Sequence, residues 1–374
     1  MSDESVGESV GTTAAAEGAG GVGRVGRAGV AGRAGGGSGA GGGRGAGREA
    51  GLPDADRVGA AIPSVPLPPV AAGVRMSWEA APAALRAAVE ARLGAPVTRA
   101  VTQLGGFSPG VAARIELADG RRAFVKAVGI EANPDSPDLH RIEARVTAAL
   151  PAAAPVPNLL ALIDLDDWVA LVFEDIDGHT PVQPWRIEDL ARVLTAYSEF
   201  TAGMDPSPIE VPTIAEAFAT TFGAWRRGFD PEPFGPWTHA NVDRLATRAA
   251  DWKSAAEGTA LVHCDLRADN ILLTPDRVVF VDWPWAVIGA AWFDVVVMAP
   301  SVIMHNGDPA IDLIEAHLAA RRVDPDRITT VPAAAAGFFA ESSLRPAPPG
   351  LPTLRPFQRA QAHGALTWLR RRMG

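Results

Sequence analysis

Apolar residues recur at regular spacing only from about Met76 onward. Leu85, Val89 and Leu93 follow every four residues, the period of one helix face, with Ser77 placed to cap the start and Gly94 to end it. The period then changes. Val111, Ala113, Ile115 and Leu117 alternate with other residues, Ala118-Asp119-Gly120-Arg121 interrupts, and 123–128 resumes. Asp-Gly between two strand-like runs predicts a hairpin. Leu139, Ile142, Val146, Ala149 and Leu150 restore helical spacing over 138–150, and the Pro-rich stretch 151–157 stops it. Residues 159–165 and 168–173 read as two more strands. Glu174-Asp175-Ile176-Asp177-Gly178 breaks the pattern. Beyond it helices are predicted over 187–200, 214–229, 242–256, 308–321 and 356–371, interrupted by one strand-rich patch at 261–282. A small strand-rich half thus precedes a larger helical half, an α+β arrangement without internal repeats.

Composition changes the picture at the N-terminus. Of 39 Gly in 374 residues, 18 fall in the first 50, and the first aromatic residue is Trp78. Such a segment cannot bury enough apolar surface to offset chain entropy, so residues 1–75 are expected to be a disordered Gly/Ala/Arg-rich tail. Its removal is expected to leave folding and activity nearly unchanged. The acidic start Met1-Ser2-Asp3-Glu4-Ser5 is unlike a signal peptide. No run approaches the ~18 apolar residues that span a bilayer. The net charge of −9 resides on residues 76–374, because the tail carries equal numbers of Arg and acids. That disfavours nucleic acid as a partner. The single Cys264 excludes an internal disulfide and a Cys-based zinc site. A cytoplasmic location is expected.

The sharpest chemical feature is His263-Cys264-Asp265-Leu266-Arg267-Ala268-Asp269-Asn270, followed by Ile271-Leu272-Leu273, a turn at 274–277, and Val278-Val279-Phe280-Val281-Asp282. A hairpin with that turn brings Asn270 and Asp282 together. An amide oxygen and a carboxylate there suit Mg²⁺, which takes one or two protein oxygens plus phosphate and water oxygens. Asp265, five residues before Asn270, is placed to accept a proton from a hydroxyl attacking a phosphate.

His-x-Asp-x4-Asn followed by Asp resembles the catalytic and metal-binding segments shared by protein kinases and aminoglycoside phosphotransferase-like small-molecule kinases. Asp282-Trp283-Pro284-Trp285 through Gly289 to Asp294 is similar to the second group. Asp-Phe-Gly and Ala-Pro-Glu, which mark protein kinases, are absent. The resemblance covers about residues 76–374. It implies a bilobal protein-kinase-like fold with an antiparallel-sheet lobe at 76–173, a joint at 174–180 and a mainly helical lobe at 181–374. It also implies ATP and Mg²⁺ as cofactors and a small-molecule hydroxyl as acceptor. Gly105-Gly106-Phe107-Ser108-Pro109-Gly110 then becomes a phosphate cradle, through the Gly106 and Phe107 N–H groups and the Ser108 hydroxyl. Glu174, Asp175 and Ile176 become the joint that meets adenine through main-chain groups. Asp294 and His263 become supports of the catalytic loop.

Lys126 stands out independently. The chain has 32 Arg and only two Lys, Lys126 and Lys253. Lys126 lies in an apolar strand, where an ammonium needs an anionic partner, and a compact point charge is not interchangeable with a guanidinium fork. The resemblance implies that Glu143, on the next helix, pairs with it and aims it at the α- and β-phosphates; Glu131 precedes that helix and is not chosen. Cys264 and Arg267 depart from the commoner family wording of Gly and His. Arg267 is expected to pair with a phosphate or substrate anion, or structurally with Asp269 or Asp294. Acids at 188, 189, 199, 205, 210, 216, 230 and 232 are candidates for a polycation pocket, whereas the basic end Arg370-Arg371-Arg372 argues against an aminoglycoside. The alternative is a non-catalytic nucleotide-binding or scaffold protein on the same fold. It would be expected to lack one of Lys126, Asp265, Asn270 or Asp282, and all four are present.

Overall fold

The computed structural model describes residues 75–374, apart from 108, 109, 133, 166, 349 and 350. The expected tail therefore lies outside the described residues except for Arg75, and Ser108 of the expected cradle lies outside them too.

The first part is one six-stranded sheet. Its strands are β1 (Arg75–Met76), β2 (Val97–Thr102), β3 (Gly110–Leu117), β4 (Arg122–Gly129), β5 (Leu159–Leu165) and β6 (Trp168–Glu174). The order is β1-β3-β4-β6-β5, with β2 also on β3; all pairs are antiparallel except β1 with β3. Helices α1 (Ala83–Leu93) and α2 (Ser136–Ala149) flank it. Gly94 ends α1 at φ 76°, as expected. Ser77, however, caps a 3-10 turn over Trp78–Ala80 rather than α1 itself, which starts after Pro82.

The period of two in β4 sorts its side chains. Ala123, Val125 and Ala127 join the core formed with Trp78, Leu85 and Val89. Phe124 and Lys126 face the opposite side, toward a cleft.

The second part is mainly helical: α3 (Ile187–Gly203), the short α4 (Ile214–Ala217), α5 (Ala224–Arg227), α6 (Pro236–Ala240), α7 (Val242–Ala249) and α8 (Trp252–Ala256), then α9 (Phe293–Asn306), α10 (Asp308–Ala320), α11 (Pro325–Ser343) and α12 (Leu354–Met373). Four short strands pair within it, β7 (Ala260–Val262) with β10 (Val287–Gly289) and β8 (Ile271–Leu273) with β9 (Val278–Phe280). The expected helix at 214–229 is instead α4 and α5, divided at the poor helix formers Thr220, Thr221 and Gly223. The one expected at 242–256 is α7 and α8, divided at Ala250 and Asp251.

Helices α9 and α11 were not anticipated. Each contains a proline, Pro300 or Pro332, and each is buried on nearly every side, so no polar face marks a helical period. At Gly364, α12 approaches α9 so closely that a Cβ would meet the Pro300 carbonyl at 2.5 Å. Only glycine permits that approach.

Candidate functional site

The hairpin expected from the sequence is β8–β9, with Ile271 opposite Phe280. Val281 N–H donates to the Asn270 carbonyl at 3.0 Å, so Asn270 and Asp282 lie at its open end. The loop before it is held from below by Asp294, at the start of α9. Its Oδ1 accepts from Cys264 N–H at 2.7 Å and its Oδ2 from His263 N–H at 2.6 Å. Tyr197, the one tyrosine of the chain, donates its hydroxyl to the same carboxylate. Sequence patterning did not single out Tyr197, which sits on the apolar face of α3.

His263 is fully buried and its pKa is lowered by that burial. Its Nδ1 accepts from Asp265 N–H at 3.2 Å, which makes Nε2 the donor to the Val281 carbonyl at 2.9 Å. Cys264 at φ 62° and Asp282 at φ 70° take the left-handed backbone conformation. Non-glycine residues adopt it at a cost and are enriched there at functional loops.

Lys126 Nζ donates to Glu143 Oε2 at 2.7 Å and also to Asp282 Oδ1. One ammonium thus joins sheet, α2 and hairpin. Burial alone would lower the Lys126 pKa, but the charges of Asp282 and Glu143 outweigh it and the net shift is upward. Burial raises Glu143, with Asp282 adding to the rise and Lys126 opposing it. Asp282, a quarter exposed, is held low by Lys126 despite its own burial. The three groups line a cleft of about 540 Å³ between the sheet and the hairpin.

Gly105, Gly106 and Phe107 border this cleft. The Phe107 side chain is itself buried, with its ring centroid 5.4 Å from that of Phe357 on α12. The loop is therefore clasped to the helical part, which the expected role of main-chain donors did not include. At the joint, Glu174 and Ile176 also line the cleft. Glu174 N–H is already given to the Asn158 carbonyl at 3.0 Å, and the Ile176 carbonyl accepts from Gly178 at 2.9 Å. Asp175 is buried under Arg114 and Arg122, an ion pair the sequence did not suggest.

The model of the phosphotransferase enzyme family (APH) matches residues 101–338. The chain belongs to that family. No curated protein matches it. Among solved structures it is similar to a thermostable mutant of aminoglycoside phosphotransferase APH(4)-Ia in ternary complex with AMP-PNP and hygromycin B. The TM-score is 0.55 at 14% identity, over 78% of this chain and 99% of that one. The apo form of that mutant gives a TM-score of 0.52 at 14% identity, over 77% and 99%. These likenesses show a shared protein-kinase-like fold, and the family makes the chain a phosphotransferase.

In this phosphotransferase the expected base, Asp265, does not line the cleft. It borders a separate cavity of about 20 Å³ with Phe222, Phe338, Phe339 and Gln361. Arg267 borders both spaces. Its guanidinium pairs with Asp265 and forms a two-pronged bond to Asp269 at 3.0 and 2.9 Å. It also lies 5.5 Å from the Phe107 ring centroid. Of the partners considered from sequence, Asp269 is found, and Asp265 is added. Asn270 Nδ2 donates to the Asp265 carbonyl at 2.8 Å and to its Oδ2 at 3.2 Å, so base and amide are brought together.

The oxygens of Asn270 and Asp282 suit Mg²⁺. Among the described residues no three His, Cys, Asp or Glu side chains are grouped to hold a metal. The Asn270 amide turns its nitrogen to Asp265, which leaves Oδ1 on its other side, and Asp282 has a second oxygen beyond the one given to Lys126. Two such oxygens fit an ion that arrives with a phosphate chain.

None of the eight acids considered for a polycation pocket lines the cleft or the cavity beside Asp265. Glu216, for example, closes a capping box with Thr213. The basic C-terminus is also structural. Arg371 pairs with Asp312, and Arg372 with Glu315 at 2.7 Å, both on α10.

Proposed function

We propose that this phosphotransferase moves the γ-phosphate of ATP to a hydroxyl of a small molecule. The reading is supported above all by the meeting of Lys126, Glu143 and Asp282 beside Asn270 in one cleft. Residues 76–173 form the nucleotide lobe, 174–180 the joint and 181–374 the lobe that carries the acceptor. Lys126, steadied by Glu143, positions the α- and β-phosphates. Asn270 and Asp282 would hold Mg²⁺, which when bound offsets charge on the phosphate oxygens. Gly106, Phe107 and Ser108 cover the phosphates, and Glu174 and Ile176 border the adenine. Asp265 orients the acceptor hydroxyl and takes its proton once Arg267 releases its carboxylate. Most of the rate then comes from positioning and electrostatics.

The closure of Asp265 by Arg267 favours a second reading, a nucleotide-binding protein without turnover. ATP consumption with Mg²⁺, measured across amino alcohols, sugar derivatives, aminoglycosides and macrolides with mass detection of products, separates the two. A phosphorylated product is expected. Tight ATP binding with no product from any compound or from cell extract would favour the second.

A further inference from the structure

We propose that Arg75, from the segment leading into the sheet, binds the phosphates of the nucleotide. The proposal rests on the reading that the cleft takes ATP. The family match begins at residue 101, so nothing in it assigns Arg75 a role.

Strand β1 is only two residues long and runs parallel to β3, with Arg75 opposite Gly110 and Met76 opposite Val111. Gly110 is where the glycine-rich turn enters β3. The pairing therefore lays the Arg75 side chain across that turn. Its Nη2 donates to the Gly105 carbonyl. A Cβ on Gly106, which has φ 84°, would stand 2.9 Å from the same nitrogen. Arg75 is half-buried and lines the cleft with Lys126, Asn270 and Asp282. Burial lowers the pKa of its guanidinium, and the charges of Asp282 and Asp269 only partly offset this.

A cation at the turn of a phosphate cradle, facing the carboxylate proposed to hold Mg²⁺, has a definite use. When Asp282 gives its charge to an ion, Arg75 loses part of its counter-charge. Phosphate oxygens replace it, and a guanidinium fork can take two of them at once. Lys126 and Arg75 then approach the phosphate chain from different strands, one as a point charge and one as a fork. A chain begun at Met76 would lack this group, so the proposal predicts weaker ATP binding for it.

The test compares Arg75→Ala, Arg75→Gln and Arg75→Lys in the full-length protein. Binding of ATP and of adenosine is measured by calorimetry with Mg²⁺ present. In Arg75→Ala the ATP affinity is expected to fall about 10- to 100-fold, the size of a charge-assisted hydrogen bond, with adenosine affinity unchanged. Arg75→Gln keeps a donor for the Gly105 carbonyl but no charge, and is expected to bind ATP as poorly. Arg75→Lys recovers part of the loss. Unchanged or tighter ATP binding in Arg75→Ala overturns the proposal, the latter by showing a plug. Full rescue by Gln, or equal losses for ATP and adenosine, overturns it in favour of loop anchoring. A wild-type protein that binds neither compound sinks the ATP reading itself, and the role of Arg75 with it.

Discussion

At the open end of the β8–β9 hairpin Lys126, Glu143 and Asp282 meet in a cleft of about 540 Å³; beside them Arg267 ties Asp269, which lines the same cleft, to Asp265, which borders a cavity of about 20 Å³. Both clusters pair one cation with two carboxylates. They differ in access to water. Each holds one sealed acid, Glu143 at 4% and Asp265 at 5% exposed, but Lys126 and Asp282 reach 12% and 25% against 6% and 15% for Arg267 and Asp269, so the Lys126 cluster is the more open. The open cluster is ready to exchange protein charge for phosphate charge. On the proposed function the Arg267–Asp265 pair would have to part before Asp265 could meet an acceptor hydroxyl, so acceptor binding, rather than nucleotide binding, would be the step that demands rearrangement.

Removing the cation from each side breaks this comparison most severely. Arg267→Met leaves the buried Asp265 without its cation and is expected to cost about 3–5 kcal/mol of stability, the usual result of orphaning a buried partner. Lys126→Met is expected to cost less, because Asp282 can hydrate from the cleft. Denaturant midpoints of the two variants decide it. Equal losses would show that the two clusters are equally sealed.

Asp265→Asn comes next. Nucleotide affinity should be retained, because Asp265 lies off the cleft, while turnover falls at least ~100-fold, the size of a general-base contribution. Steady-state kinetics beside ATP calorimetry provide the check. An unchanged rate would remove Asp265 from the mechanism and with it the functional meaning of the closed side.

How much of this was legible in the sequence follows the same divide. The open side was legible in part: Glu143 came from the family resemblance, the Lys126–Asp282 pair across 156 residues was not expected, and local signals placed the rest. Alternation placed Lys126 on a strand, and the turn at 274–277 predicted that Asn270 and Asp282 would meet. The Arg267 pairs are themselves local, two residues away on either side, but what packs around them comes from distant segments. No spacing rule connects Phe107 to Phe357, or Tyr197 to Asp294, across 97 residues of chain. Arg267 was ambiguous because several acids lay within reach in sequence, and only packing selects among them. Helices α9 and α11 were hidden by full burial, and β1 by a length of two residues. Lys253, the other lysine, lies over the Trp252 ring at 5.8 Å, which gives it a contact but no chemistry.

Acid sharpens the comparison from the nucleotide side. His140, one turn before Glu143 on α2, is buried, with its Nδ1 on the Ser136 carbonyl at 3.1 Å. Burial first, and the Lys126 charge second, push its pKa down to about 3. The unfolded chain takes this proton near pH 6.5 and the folded one only near 3, so the unfolded state binds more protons between those values. Stability is present in full above about pH 6.5 and is lost as pH falls below it. The loss attributable to His140 should reach about 2 kcal/mol by pH 5. Denaturant midpoints between pH 7 and 5 test this, and His140→Leu should flatten the slope. A slope unaltered by that substitution would move the acid sensitivity to the other histidines held low by burial, His263, His305, His317 and His363.

Cys264 yields the smallest effect, and its sign is the informative part. The residue is 2% exposed and holds φ at 62°, with its N–H fixed by Asp294 Oδ1. An L-residue pays about 1–2 kcal/mol for that conformation and glycine pays almost nothing. Cys264→Gly relieves that cost but loses a buried side chain worth about 1 kcal/mol and loosens the unfolded chain by a further 0.5–1 kcal/mol, roughly. Cys264→Ala loses most of the packing and keeps the backbone cost. The glycine variant should therefore equal or exceed the alanine variant in stability, reversing the usual order at an ordinary position. Midpoints of the two variants beside wild type measure the difference directly. If alanine proves the more stable by the ordinary margin, the loop is not under backbone strain, and Asp294 holds it against the closed cluster by hydrogen bonds alone.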